Sequence, residues 1–488
     1  MTRGEFSSAD LVRGFHRRRQ LLDQAGPKLK SIIEWNPDAI QIANALDQER
    51  RLRGVRGPMH GIPVLIKDNL DTGDRMQTTA GSLALLGTPA PHDAFVVERL
   101  RAAGCVVLGK TNLSEWANFR GAHSSSGWSG RGGQTRNPYI LDRNPSGSSS
   151  GSAAAVAANL CAVAVGTETD GSIVSPAAHC GVVGLKPTVG LISRRGIIPI
   201  SASQDTAGPM ARTVADVAAL LGAMVGADTV DDATTVRPES GLVDYQRFLQ
   251  VDALRGARIG VPRSAFHVHR LADPVFADAI AALRGAGAML VDPIELPSFE
   301  GVGEAEFTVL LYEFKAGLNA YFAARGATSA VPSLAALIEF NEREKARELP
   351  YFGQETLIQA QAVGNLDEPR YLSARDRCAR WRRELGEFFQ TEKLAAIVLP
   401  TAGPADTLDA LHGDHGRGGS SSYAAVAGFP NITVPCGSVW GLPVGLSFMG
   451  PAWHEPELIA LAYSFEQATR ARKPPGFRPA LAARSSGE

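Results

Sequence analysis

The chain is 488 residues long, with 49 Lys and Arg against 50 Asp and Glu, a formal net charge of −1 at pH 7. That balance gives no electrostatic case for nucleic acid or an anionic membrane surface as partner. Apolar residues make up 44% of the chain, ample for a large core, no apolar run reaches membrane-spanning length, and five cysteines without a CxxC spacing argue for buried thiols over a disulfide frame.

The first residues lack the apolar core of a signal peptide, so the cytoplasm is the default expectation. Leu11, Phe15 and Leu22 predict an opening amphipathic helix capped near Ser8, and Asn36-Pro37 a second helix start. Residues 61–66 read as a buried strand, 93–103 as a helix, and 104–108 as another strand. Residues 152–160 form a helix of small side chains, and 161–165 a strand leading to Ser172. Residues 214–225 read as a helix and 228–250 as a surface excursion. Strands at 257–261 and 288–291 flank a further helix. Residues 304–392 are mostly helical, with breaks at Pro332 and Pro350; residues 401–422 read as a candidate mobile loop. The last strands are 395–399, 431–435 and 443–449. This alternation predicts an α/β fold, one sheet covered on both faces by helices.

Three segments carry chemistry. Pro145-Ser146-Gly147-Ser148-Ser149-Ser150-Gly151-Ser152 puts hydroxyls on the lip of the small-residue helix. Glu168-Thr169-Asp170-Gly171-Ser172 delivers one more serine after a glycine, and Lys67 ends an apolar strand. Two serines and a lysine with no obligatory histidine are one way to make a serine nucleophilic. Ser172 is the expected nucleophile, Ser148 the bridging serine and Lys67 the base, kept neutral by burial. The backbone N–H groups of Thr169, Asp170, Gly171 and Ser172 are expected to form an oxyanion hole. Asp170 and Ser149 are the expected substrate contacts, with either Ser149 or Ser150 satisfying loop backbone. Asp68, next to Lys67, should point to the opposite face of the strand.

The runs 147–157, 166–173 and Gly184-Leu185-Lys186-Pro187-Thr188 resemble, in order, the signature of the amidase signature family. Gly61-Ile62-Pro63-Val64-Leu65-Ile66-Lys67-Asp68 resembles its lysine strand; 427–430 and 441–446 resemble its closing strands. The likeness runs from about residue 8 to 472. Within the family, the Asp170 loop and 310–317 are most similar to peptide amidases. The resemblance implies a single α/β domain over 1–488 with a mixed central sheet, a catalytic core at 50–225 and a helical insertion at 300–392 that shapes the substrate pocket. It implies hydrolysis of a carboxylic amide, such as a peptide C-terminal amide, to acid and ammonia by a Ser-cisSer-Lys triad, without cofactor or metal. The chain departs from the family in having Asp170 for a common glycine and Val174 for a common arginine, which puts in doubt a salt bridge to Glu168.

Other readings stay open. An amidotransferase A-type subunit would make ammonia for a partner. Gly104-Cys105-Val106-Val107-Leu108-Gly109-Lys110-Thr111 fits the P-loop letters, yet its β-branched spacer should lie in a sheet with its N–H groups already used. His412, Asp414 and His415 lack the spacing of a metal site and read as a polar loop. The expected partner is a small-molecule or peptide amide substrate; oligomeric state is left open.

Overall fold

The computed structural model describes residues 1, 4–236, 244–326, 331–415 and 418–481. Its strands are β1 Ile32–Trp35, β2 Pro63–Lys67, β3 Val106–Thr111, β4 Trp128–Ser129, β5 Gly133–Gln134, β6 Val163–Glu168, β7 Val183–Lys186, β8 Thr206–Ala211, β9 Arg258–Gly260, β10 Met289–Val291, β11 Ala396–Pro400, β12 Asn431–Val439 and β13 Leu442–Met449. Eleven form one sheet in the order β1-β3-β2-β6-β8-β7-β12-β13-β11-β9-β10, and β4 pairs with β5 alone. The sheet is mixed. β2 runs parallel to β3 and β6, whereas β6 is antiparallel to β8, and β12 to β7 and β13.

Side-chain alternation explains why the strands read as continuous apolar runs. Val64 and Ile66 face a core built with the helices Phe95–Ala102, Val214–Met224 and Glu455–Thr469. Leu65 between them faces a second core under Ser8–Arg18, Ala39–Arg53 and Ser150–Ala157. Both faces of the sheet are therefore covered, as a buried parallel sheet requires. No described helix is long and apolar enough to cross a membrane.

Local signals account for most elements. Ser7, one residue before the expected cap, accepts from Asp10 N at 3.1 Å, while Asp10 accepts from Ser7 N at 3.0 Å. Asn36 accepts from Asp38 N at 2.9 Å, an Asx turn ahead of the second helix. Thr206–Ala211, unassigned from the sequence, is a strand although it contains Gly208 and Pro209, and proline normally demotes a run. It fits because β7 pairs with it only at Met210 and Ala211, leaving Pro209 free of a ladder donor on that side. The helix Glu455–Thr469 was also not expected. The proposed surface excursion at 228–250 and the helical stretch at 304–392 each include residues outside the described set, 237–243 and 327–330. The described part of 304–392 is helical at Val302–Arg325, Leu334–Arg343, Lys345–Glu348, Glu355–Ala362 and Pro369–Glu392.

Candidate active site

β2 and β6 are parallel neighbours, so Lys67 at the end of one and Glu168 at the end of the other reach the same edge of the sheet. The helix Ser150–Ala157 runs back toward the start of β6, which sets its N-terminus and Ser148 at that edge too. Its small side chains are the reason it can lie so close. A Cβ on Gly151 would sit 2.3 Å from the Ser31 carbonyl oxygen and 2.5 Å from that of Asn112.

Lys67 is fully buried. Its Nζ lies 2.7 Å from Ser148 Oγ, 2.8 Å from Thr167 Oγ1 and 3.2 Å from the Thr167 carbonyl oxygen. A neutral amine has two N–H bonds for the Thr167 oxygens and a lone pair for the Ser148 hydroxyl proton. Burial pushes the Lys67 ammonium down to about 7, against the opposing charges of Asp205 and then Glu168. Asp68 is not one of those charges. It accepts from Thr79 Oγ1 and, at 3.2 Å, from Gly81 N, and it faces Arg131.

Ser148 follows a cis peptide bond from Gly147 and is fully buried. Ser172 keeps 8% of its surface exposed. Its carbonyl oxygen accepts from Ser149 N at 3.1 Å, which ties the two serine segments together. Its hydroxyl has no hydrogen-bond partner among the described residues. The N–H groups of Thr169, Asp170, Gly171 and Ser172 likewise donate to no protein acceptor among the described residues, whereas the next two, Ile173 and Val174, donate to Glu168 Oε2 at 2.6 and 3.0 Å. Gly171 turns the chain with φ +77°, and a Cβ there would lie 2.8 Å from Ser421 Oγ. A row of unpaired N–H groups in such a turn is an anion-binding concavity.

A family model described as Amidase matches residues 10–459. The chain belongs to the amidase family. It is a hydrolase acting on amides, and the single-domain α/β sheet expected from the resemblance is the one observed. The native peptide amidase from Stenotrophomonas maltophilia is 54% identical, with a TM-score of 0.93 over 98% of this chain and 96% of that one. A probable amidase of Arabidopsis thaliana is 43% identical over 475 residues, 94% of this chain and 86% of the relative. The A-type subunit of the glutamyl-tRNA(Gln) amidotransferase of Synechococcus sp. is 34% identical over 498 residues, 98% of this chain and 92% of the relative.

In this amidase Ser149 is fully buried. Its Oγ donates to the Thr167 carbonyl at 3.0 Å and accepts from Thr167 N at 3.2 Å. Its one O–H donor and one of its lone pairs are thus engaged by the Thr167 backbone. Ser150 Oγ donates to the Ser146 carbonyl at 2.6 Å, so both serines satisfy loop backbone. The missing arginine at Val174 is answered by backbone, since Glu168 holds the turn through two N–H groups. Burial raises the Glu168 pKa, and Lys186 is the first charge opposing that rise.

The P-loop letters fall on β3, as their composition predicts. Lys110 Nζ donates to the Leu70 carbonyl at 2.6 Å and to Thr78 Oγ1 at 2.8 Å, and Thr111 Oγ1 shares a 2.8 Å hydrogen bond with Ser152. Asp414, in the expected loop at 401–422, accepts from Asn144 Nδ2 at 2.6 Å and from Ser126 N at 2.9 Å; residues 416–417 lie outside the described set. His412 and His415 both face Asp409.

Sequence reasoning missed the groups around Asp170. Ser422 Oγ donates to Asp170 Oδ2 at 2.5 Å, while Asp170 Oδ1 is buried with no partner among the described residues. The Glu306 carboxyl faces Asp170, and Gln204 Nε2 donates to Glu306 Oε1 at 2.7 Å. Burial and then Asp170 push the Glu306 carboxyl up to about 8. No local pattern sets Glu306 apart from Glu304 and Glu313 on its helix.

Proposed function

We propose that this amidase hydrolyses a peptide C-terminal amide, or a similar primary amide, with Ser172 as nucleophile, Ser148 as proton carrier and Lys67 as base. The observation that carries the reading is the row of N–H groups, Thr169 to Ser172, that have no acceptor among the described residues, beside a serine hydroxyl likewise without a partner among them. The Ser172 hydroxyl turns onto Ser148, the neutral Lys67 amine takes the Ser148 proton as Ser148 takes that of Ser172, and Ser172 Oγ attacks the amide carbon. The oxyanion enters the N–H row, where preorganised donors stabilise it without reorganisation. The proton returns through the serines to the leaving nitrogen, ammonia departs, and water cleaves the acyl-enzyme by the reverse relay. The route moves only protons and an acyl group.

The likeness to the peptide amidase supports a peptide amide as substrate. Asp170 then accepts a hydrogen bond from a substrate N–H, a donor that simple esters lack. Ser149 holds the Ser172 carbonyl and the Thr167 backbone, which fixes the turn under the substrate site. The amidotransferase reading has weaker support, in the lower identity to the Synechococcus sp. sequence. Ammonia release from a peptide amide by the chain alone separates the two. Ser172→Ala is expected to remove turnover by several orders of magnitude with an unchanged melting temperature. Retained turnover in a folded Ser172→Ala protein overturns the assignment.

A further inference from the structure

Residues 200–205 lie between β7 and β8 and are held from two sides. Toward the site, Asp205 Oδ1 accepts from Thr169 Oγ1 at 2.6 Å, and Gln204 Nε2 donates to the Thr169 carbonyl at 3.3 Å. Asp205 Oδ2 accepts from Ile200 N at 2.8 Å and Ser201 N at 2.9 Å. Toward the helices, Glu313 accepts from Ser201 Oγ at 2.5 Å, Ser203 N at 2.9 Å, Ser203 Oγ at 2.6 Å and Tyr371 OH at 2.9 Å. Every polar atom of the two carboxylates is engaged, and both are buried. Thr169 is the first of the unpaired N–H groups, so its orientation sets where that row begins.

We propose that Asp205 is a positioning residue for amide hydrolysis: it fixes Thr169 at the head of the N–H row and supplies a counter-charge facing Lys67, with Glu313 as the strut that holds its segment against the helices. The proposal rests on Lys67 being the base. β8 begins at Thr206, paired with Glu168, so Asp205 sits at the sheet edge where Lys67 ends β2. Of the anions opposing the burial of Lys67, Asp205 ranks ahead of Glu168. The other charged groups around this segment are already committed. Arg194 pairs with Asp231, Glu313 is bound as above, and Glu306 accepts from Gln204 and faces Asp170. Burial also pushes Asp205 up to about 6, so it is charged where Lys67 loses its proton.

Asp205→Asn is the decisive variant, because the amide can turn its oxygen to the Ile200 and Ser201 N–H groups and its nitrogen to Thr169 Oγ1. The hydrogen bonds survive and the charge is lost. The acid limb of kcat/KM for ammonia release should then move to lower pH, by on the order of one pH unit. Thr169→Val removes the hydrogen bond and keeps the charge, so kcat should fall on the order of tenfold with the limb unmoved. A folded Asp205→Asn enzyme whose limb stays at the wild-type pH overturns the counter-charge role. Unchanged kcat in Thr169→Val overturns the positioning role, and carries the test if Asp205→Asn does not fold. Failure of Lys67 as base is distinguishable, because it removes the limb from the wild-type profile itself.

Discussion

The sharpest test of the Lys67 assignment is a pH profile. Burial takes this lysine from 10.5 to about 7. At about 1.4 kcal/mol per pH unit, the site disfavours the ammonium by about 5 kcal/mol relative to water. At pH 7 about half the molecules hold a neutral amine, against roughly three in ten thousand for an unperturbed lysine. The sign follows: the base is present above the folded-state pKa and is lost as pH falls through it. kcat/KM for a peptide amide should therefore drop about tenfold per pH unit below pH 6 and level off near pH 8. Ammonia release at subsaturating substrate, from pH 5 to pH 9 at constant ionic strength, reads this directly. Lys67→Met removes the amine but fills its space, so it should fold and be inactive at every pH. The Thr167 carbonyl loses one donor, a cost of about 1–3 kcal/mol that is offset by no longer burying an amine. A flat profile, or a Lys67→Met enzyme with the wild-type limb, refutes the reasoning.

Gly171→Ala puts a side chain at φ +77° with Ser421 Oγ 2.8 Å from its Cβ, so the N–H row must shift; kcat should fall on the order of a hundredfold, checked by initial rates. Glu306 loses its proton near pH 8, giving two charges beside each other above that pH. kcat for peptide amides should fall there, because the second charge opposes the developing oxyanion, and Glu306→Gln should flatten the fall. Gly151→Ala drives a Cβ into the Ser31 and Asn112 backbone and should cost about 1–3 kcal/mol, read as a lower midpoint in thermal melts.

The lysine and both serines were legible because local signals mark them. Lys67 ends an apolar strand, and Ser148 and Ser172 sit in glycine-flanked turns beside apolar elements. The sheet was legible where strands are continuous runs such as Pro63–Lys67, and illegible at Thr206–Ala211, whose Pro209 obeys a neighbour's register and not a local preference. Distance in sequence hid the supporting groups. Glu313 meets Ser201 from 112 positions away and Ser422 meets Asp170 from 252, with no motif to link either pair. Glu168 was visible, but its partners were not, because backbone N–H groups carry no letter in the sequence.

Asp170 presents the hardest physical question, since a carboxylate beside the proposed oxyanion works against the charge that develops there. The structure gives it one donor and one acidic neighbour. Ser422 O–H takes one oxygen. The other is buried without a partner while Glu306 is a carboxylate, and gains one when Glu306 carries a proton. Gln204 donates to Glu306 Oε1, which leaves Oε2 free to carry the proton. With Glu306 pushed up to about 8, that proton is present at neutral pH, and the pair holds one negative charge instead of two. A single shared charge keeps Asp170 able to accept a substrate N–H while weakening its field at the nucleophile. An acidic residue can thus stand where the family commonly has glycine, because the helix that carries Glu306 brings the proton the site needs.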